Sequence, residues 1–173
     1  MLKKISFALM LLLPACLMGQ NFKFGHFNSQ EITPLMEEFK KAQADYEALI
    51  KTYEDEMSRL TTEFQTKYEE FRKLMSDTAN PLPQNIMDRR QKELEDMDQR
   101  IQSYRTEASQ SLNNKQLELM QPIGQKLDEA VKAVGQEGGY TYIFDQSRTP
   151  IAYVNDSIST DVTALIKTKL GIL

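Results

Sequence analysis

Histidine and cysteine, two of the side chains most used in catalysis and metal binding, each occur once in this sequence. The single histidine, His26, lies in the run FKFGHFN, where residues alternate as in a β-strand. No serine, cysteine or carboxylate motif accompanies it, so its imidazole has no partners for acid–base or nucleophilic catalysis. We therefore interpret His26 as a structural or surface residue and predict that the protein is not an enzyme.

Sequence motifs for metals and nucleotides are missing as well. One histidine and one cysteine cannot supply the clusters of these residues that hold zinc. The sequence also has no glycine-rich phosphate-binding loop. We expect no cofactor and no ATP-driven step. The formal charge of −4 argues against nucleic acid as a partner, because binding to a phosphate backbone depends on an excess of Lys and Arg.

The only local cluster of positive charge consists of Arg89, Arg90 and Lys92. Acidic neighbours flank it, which is typical of a solvated helix face. Contact with lipopolysaccharide is the alternative interpretation. From residue 31 to residue 132, however, 15 Lys and Arg stand against 21 Asp and Glu, a formal charge of −6. Such a segment repels anionic lipid within a screening length of roughly 8 Å, which argues against membrane or lipopolysaccharide contact.

Residues 1–19 are typical of a secretory signal peptide. Two lysines precede an apolar run that is too short to span a membrane, and small residues follow it. Cleavage after Gly19 puts a small residue at the cut and leaves no cysteine in the mature chain. The alternative is that LPAC is a lipobox and that Cys16 is lipidated, although Pro14 fits a lipobox poorly. In either case we expect an exported protein.

A long helical pattern begins soon after the N-terminal segment. From Phe39 to Met75 the apolar residues recur at steps of three or four, which indicates one face of a helix. From Tyr53 onward they repeat every eleven residues, which corresponds to about 3.67 residues per turn. This period predicts a straight or slightly right-handed pairing with a second helix.

Two prolines divide the helical region. Pro81 and Pro83 end the first pattern, because each lacks a backbone donor and restricts the preceding residue. A second apolar pattern begins near Gln84. We predict an antiparallel helical hairpin over residues 35–134, with its tip at 77–84.

The position of the turn predicts which residues of the two helices face each other. Facing residues have numbers that sum to about 160, which places Phe64 near Met97. Pro122 and Gly124 interrupt the second pattern, so a kink or a short restart of the helix is expected there. The apolar stripe is chiefly the seam between the two helices. Only side chains on the rim of that seam could be offered to another protein.

Two short β-runs follow Gly138 and Gly139. YTYIFD and IAYVN are separated by QSRTP, which predicts a small β-hairpin, and FKFGHFN is a third strand candidate. So few strands are marginal on their own in water. They need the C-terminal helix STDVTALIKTKLG or strands from other copies. We predict a β-containing oligomerisation body from residues 20–34 and 135–173, with contacts made by Phe24, Phe27, Ile143, Phe144, Ile151 and Tyr153.

The order of these segments resembles that of the Skp/OmpH family of periplasmic chaperones. KFGHFNSQEI, the charged helical hairpin, YTYIFD, IAYVND and STDVTALIKTKL carry the resemblance, which covers essentially the whole mature chain. It implies a mainly α fold with a small β part. Helical arms would project from a β-barrel body formed on trimerisation, in the shape of a jellyfish.

The resemblance also implies a function. It suggests an ATP-independent periplasmic holdase that binds unfolded outer-membrane proteins and prevents their aggregation during transit to the outer membrane. The candidate client-facing residues on the arm are Tyr53, Met57, Phe64, Tyr68, Phe71 and Met97. Some members of the family have strongly basic arms, whereas this arm is acidic.

A structural coiled-coil envelope protein, or a lipoprotein spacer anchored at Cys16, is the second candidate. A passive spacer has no need of a closed body at the base of its helices. The strand segments therefore favour the chaperone.

Overall fold

The computed structural model describes residues 22–77 and 79–172. The predicted signal peptide, with Cys16 and the cleavage site at Gly19, lies outside the described residues. The chain forms two compact units. Residues 33–127 make up the first, which we call the arm. The residues up to Ile32, together with those from Asp128, make up the second, which we call the body.

Two long helices dominate the described chain. Helix α2 covers Glu37–Ser76 and helix α3 covers Gln84–Gly138, in agreement with the two predicted patterns. Asp77 follows α2, and its side chain accepts hydrogen bonds from the backbone N–H of Ala79 at 3.0 Å and of Asn80 at 3.2 Å. The predicted breaking of the helix at the proline pair is therefore confirmed, and Asp77 fixes the chain as it leaves α2.

Helix α3 does not restart at Pro122. The proline lies inside the helix, which continues to Gly138. Ile123, directly after the proline, and Leu127, one turn of helix further on, are only 3% and 2% exposed. We infer that their burial outweighs the one hydrogen bond that a proline removes. Gly139 follows with a φ of 63°, a left-handed conformation that favours glycine and ends the helix as expected.

The body contains a sheet of three parallel strands. Strand β1 covers Phe24–Phe27, β2 covers Tyr142–Asp145 and β3 covers Ser159–Asp161, in the order β2-β1-β3. The register pairs Phe24 with Tyr142 and with Ser159. The strand predicted in FKFGHFN is confirmed, and it is the central strand.

The predicted β-hairpin is wrong. YIFD forms a strand, but residues 151–155 form none, and the third strand lies further on, at Ser159–Asp161. Both β2 and β3 run parallel to β1 and flank it, so residues 146–158 must connect opposite edges of the sheet. A tight turn can join only antiparallel neighbours. The β-forming residues Ile151 and Tyr153 thus lie in a crossover connection rather than in a strand.

Short helices complete the body. Helix α1 covers Ser29–Ile32 and leads through a 3₁₀ turn at Thr33–Leu35 towards α2, and helix α4 covers Thr163–Lys169. The buried apolar residues of the body, each less than 10% exposed, are Phe27, Ile32, Ala130, Val134, Val162 and Ile166.

Asp145 links three segments of the body at the end of β2. Its Oδ1 accepts hydrogen bonds from the backbone N–H of Ser29 at 3.1 Å and of Ser147 at 3.0 Å, and from the Ser147 hydroxyl at 2.7 Å. Burial raises the pKa of Asp145, but the hydrogen bonds from Ser29 and Ser147 outweigh it and hold the pKa below its usual range. Arg148 Nε lies 3.3 Å from the other carboxylate oxygen.

We predict that Asp145→Ala destabilises the body by about 2 kcal/mol, because it leaves the partly buried N–H donors of Ser29 and Ser147 unpaired. The measurement is hydrogen exchange of the Val162 amide, which donates to His26 in the sheet. Its protection should fall about 30-fold. Asp145→Asn is the control, since it keeps an acceptor oxygen and should lose less. Equal protection in Asp145→Ala and the unmodified protein would contradict this role.

The contribution of the Asp145 carboxylate to stability should depend on pH. A carboxylate whose folded pKa is depressed stabilises the fold fully above its unfolded value and loses this contribution as the pH falls through the folded value. The ordinary value for Asp145 is 3.8. The stability difference between the unmodified protein and Asp145→Asn should therefore be constant near neutral pH and shrink below about pH 4.

Candidate interaction surfaces

Polar contacts fix the pairing of α2 and α3 within the arm. Lys67 Nζ lies 2.6 Å from Glu93 Oε1, and the Tyr53 hydroxyl donates to Ser111 Oγ at 2.7 Å. Near the other end of the hairpin Lys126 pairs with Glu38. These pairs confirm the antiparallel hairpin and the predicted sum of about 160 for facing residues.

The seam between the two helices is narrow. Its buried residues are small or medium-sized, among them Ala42, Leu60, Ile101 and Ala108, of which Leu60 is only 3% exposed. The candidate client-facing residues lie around this seam. Tyr53, Met57, Phe64, Phe71 and Met97 are partly exposed, and Tyr68 is 49% exposed. Their role in binding stays a prediction.

Two open grooves lie at the same level of the arm, on opposite sides of the seam. The first is lined by six apolar or aromatic residues together with four polar ones, namely Tyr46, Ile50, Tyr53, Met57, Ala108 and Leu112 with Glu54, Arg105, Ser109 and Asn113. The second has Leu49 as its only apolar residue and is otherwise lined by Glu107, Gln110, Ser111, Asn114, Lys115 and Glu118. The two sides of the hairpin therefore differ in chemistry at this level.

Ion pairs occur along α2 and between α2 and α3. Arg59 contacts Glu56 at 2.7 Å and Glu63 at 3.3 Å. Glu93 accepts from Lys67 and from Arg90, and these two hydrogen bonds hold the pKa of Glu93 below its usual range. The hydrogen bond from Arg59 does the same to the pKa of Glu56. These carboxylates are ionised at neutral pH.

The basic cluster near the tip of the arm is only partly engaged. Arg90 lies 3.0 Å from Glu93, whereas Arg89 and Lys92 are exposed. A lipopolysaccharide contact at these three residues stays a prediction.

The body carries a row of aromatic rings, most of which are exposed. The ring centroids are 6.5 Å apart for Phe22 and Phe24, 6.3 Å for Phe24 and Tyr142, and 5.9 Å for Tyr142 and Phe144. Phe22 and Tyr142 are more than half exposed, at 58% and 59%. We call these four residues the aromatic row.

The aromatic row contains two of the predicted oligomerisation residues, Phe24 and Phe144. Phe22 and Tyr142 were not expected there, although the alternation of Tyr142 and Phe144 along YIFD was a signal for a shared face.

The other predicted oligomerisation residues lie elsewhere. Phe27 is buried and, with Ile143, belongs to the opposite face of the sheet, because neighbouring residues of a strand alternate between faces. Ile151 and Tyr153 lie in the connection after β2, and Tyr153 is 79% exposed. Whether these residues contact another copy stays a prediction.

His26 lies in the central strand of the sheet. It is 8% exposed, and its Nδ1 lies 2.8 Å from Ser159 Oγ on the neighbouring strand. Between residues 22 and 172, leaving out residue 78, no group of three or more potential metal ligands comes together. Over the same residues, no helix is both long and apolar enough to cross a membrane.

Comparison with known proteins assigns the chain to a family. A family model described as outer membrane protein (OmpH-like) matches residues 23–170. The chain belongs to the OmpH-like family. No curated protein matches the OmpH-like chain closely enough to count as a relative.

A solved structure shares the fold of this OmpH-like protein. It is the crystal structure of a candidate outer membrane chaperone (OmpH-like) from Caulobacter crescentus. The TM-score is 0.70 at 13% sequence identity, and the match covers 86% of this chain and 83% of the other. A mainly helical chain with a helical hairpin and a small β part is therefore confirmed.

Shortening a side chain should destabilise the arm more in the buried seam than on the exposed rim of the seam. We predict that Leu60→Ala costs the arm of this OmpH-like protein about 2 to 5 kcal/mol, because it leaves a cavity between the helices. Tyr68→Ala should cost less than about 1 kcal/mol, since Tyr68 is half exposed. Urea unfolding followed by far-UV circular dichroism measures both. Equal losses would show that Tyr68 belongs to the seam.

Proposed function

We propose that this OmpH-like protein is an ATP-independent holdase chaperone of the periplasm. It binds unfolded outer-membrane proteins and prevents their aggregation during transit to the outer membrane. The observation that carries this proposal is the exposure of large apolar side chains along a long, open surface of the arm. A monomeric soluble protein rarely exposes extended apolar surface without a binding role.

The shape of the arm surface suits a chain without a fixed structure. Its grooves are open, and the apolar side chains that line them are spread along the helices. Ligands of defined shape normally bind in enclosed pockets with a few placed polar groups. An extended, open surface instead provides many weak contacts, and flexible Met side chains such as Met57 adapt to varied partners.

We further propose that the protein is a homotrimer assembled through its body. Parallel sheets are normally covered on both faces, whereas the aromatic row leaves part of one face of this sheet exposed. Both outer strands, β2 and β3, also have one free edge among the described residues. Copies of the same sheet would cover the row and pair the edges. The number three rests on the resemblance to the Skp/OmpH family.

Suppression of aggregation tests the holdase function. A urea-denatured outer-membrane β-barrel protein should scatter less light when it is diluted into this protein than into buffer, without nucleotide. Met57→Ala or Tyr68→Ala should weaken this effect less than about twofold, because each contact contributes little. A structural spacer, the second candidate, would leave the scattering unchanged. If one such substitution abolished holding, a discrete site would exist.

The assembly is tested by sedimentation. Tyr142→Asp combined with Phe144→Asp should convert the trimer to monomers in analytical ultracentrifugation, since burying each large side chain contributes about 1.5 to 3 kcal/mol. Leu165→Asp is the matched control, because Leu165 on α4 has an exposure of 50%, between the 59% of Tyr142 and the 39% of Phe144, but is not part of the row. A trimer that survives the double substitution would place the interface elsewhere.

A further inference from the structure

The predicted signal cleavage exposes a residue whose chemistry the proposed function does not use. Cleavage after Gly19 makes Gln20 the first residue of the mature chain. An N-terminal glutamine holds a free α-amine and a side-chain amide at the spacing that closes a five-membered ring. The next residue, Asn21, has a side chain one methylene shorter, and its nitrogen is part of a peptide bond. Gln20 is therefore the residue at this end of the chain that is able to cyclise.

We propose that Gln20 is a modification site, at which the mature N-terminus cyclises to pyroglutamate. The α-amine nitrogen forms a bond to the side-chain carbonyl carbon, and the bond from that carbon to the amide nitrogen breaks. One proton moves from the α-amine to the leaving nitrogen, which departs as ammonia. The step is neither an oxidation nor a reduction and uses no nucleotide. The proposal rests on the predicted cleavage after Gly19 and on the periplasmic location proposed above.

The described start of the chain leaves room for the reaction. Phe22 is 58% exposed. The first backbone hydrogen bonds of the described residues involve Lys23, which donates to Thr141 Oγ1 at 3.3 Å and accepts from the Thr141 N–H at 2.7 Å. Three residues, or roughly 11 Å of extended chain at most, separate Gln20 from this attachment. A cyclising enzyme can therefore take hold of the N-terminus without opening the sheet.

The neighbouring described residues keep positive charge away from the aromatic row. Lys23 lies between two members of the row in sequence, but its side chain binds elsewhere. Its ammonium donates to the carbonyl of Gly138 at 2.9 Å and lies 4.1 Å from the centre of the Tyr140 ring. Gly138 is the last residue of α3, and the C-terminus of a helix stabilises a cation. The row is thus screened from the charge of its nearest lysine.

A free α-ammonium at Gln20 would work against this arrangement. It precedes Phe22 by two residues, or about 7 Å of chain at most. Other copies of the protein are proposed to cover the aromatic row, and removing an unpaired ammonium from water is unfavourable. The ring of pyroglutamate carries no charge. Cyclisation therefore lets the start of the row be covered without desolvating a cation, a consequence that rests on the proposed homotrimer.

Intact-mass spectrometry tests the modification on the mature protein purified from the periplasm of the cells that produce it. We expect the mass of residues 20–173 less one molecule of ammonia. Edman degradation should be blocked until pyroglutamyl peptidase removes the first residue. Gln20→Ala is the control, since alanine cannot cyclise and should give its full calculated mass and a readable N-terminus.

Two results overturn the proposal. A mature chain that starts at Gln20 with its full calculated mass shows that the glutamine stays open. A chain that starts elsewhere, or that is lipidated at Cys16, shows that the cleavage site itself is wrong. Neither result changes the suppression of aggregation, so the holdase function is tested separately by light scattering.

Sedimentation tests the consequence for assembly. Gln20→Ala keeps a free α-ammonium and should dissociate at a concentration about three- to tenfold higher than the cyclised protein, because assembly then desolvates a charge. Equal dissociation of the two proteins overturns this effect on assembly. Failure of both proteins to assemble overturns the homotrimer together with this effect, and the mass measurement still decides whether Gln20 is cyclised.

Discussion

The pairing of β1 with two strands from the far end of the chain is the constraint on which the rest of the fold depends. Phe24 pairs with Tyr142 and with Ser159, so more than a hundred residues lie between the two sides of the sheet. Closing so long a loop carries an entropic cost that an unstructured segment would have to meet. A helical hairpin avoids the problem, because antiparallel helices bring their two ends together. The Glu38–Lys126 pair marks where the ends of the arm meet.

The sequence indicated the helices far better than it indicated the sheet. The apolar steps of three and four in α2, and the prolines that end it, are local features, so the hairpin and its register could be predicted from them. Strand pairing is not local. Ile151 and Tyr153 have the residue types of a strand, but Asp145 binds Ser29 and Ser147 and turns the chain away from a tight hairpin. The β-propensity of a residue reflects how well its side chain packs on a pleated sheet. It does not determine which strand becomes the neighbour.

The candidate surfaces also show that local features could be predicted from the sequence and non-local ones could not. Phe24 and Phe144 could be chosen by type, but only the parallel register shows that they share a face with Tyr142, while Phe27 and Ile143 lie on the other. On the arm, the eleven-residue repeat contained more information than a list of apolar residues. It separates the stripe of Met57 and Tyr68 from the stripe of Glu56 and Lys67. The repeat could not show which residues of α3 line the grooves beside each stripe.

Solubility and exposed apolar surface make opposite demands on the same two helices. Ion pairs at (i, i+3) and (i, i+4), such as those of Arg59 with Glu56 and Glu63, stabilise the exposed helix turns by a few tenths of a kcal/mol per pair and keep them hydrated. Large apolar side chains such as Tyr68 stay half exposed beside them, because the buried seam at Leu60 already holds the two helices together. On the proposed holdase function, each contact with such a side chain is weak, so a client leaves step by step once its own folding offers better burial, with no need for ATP.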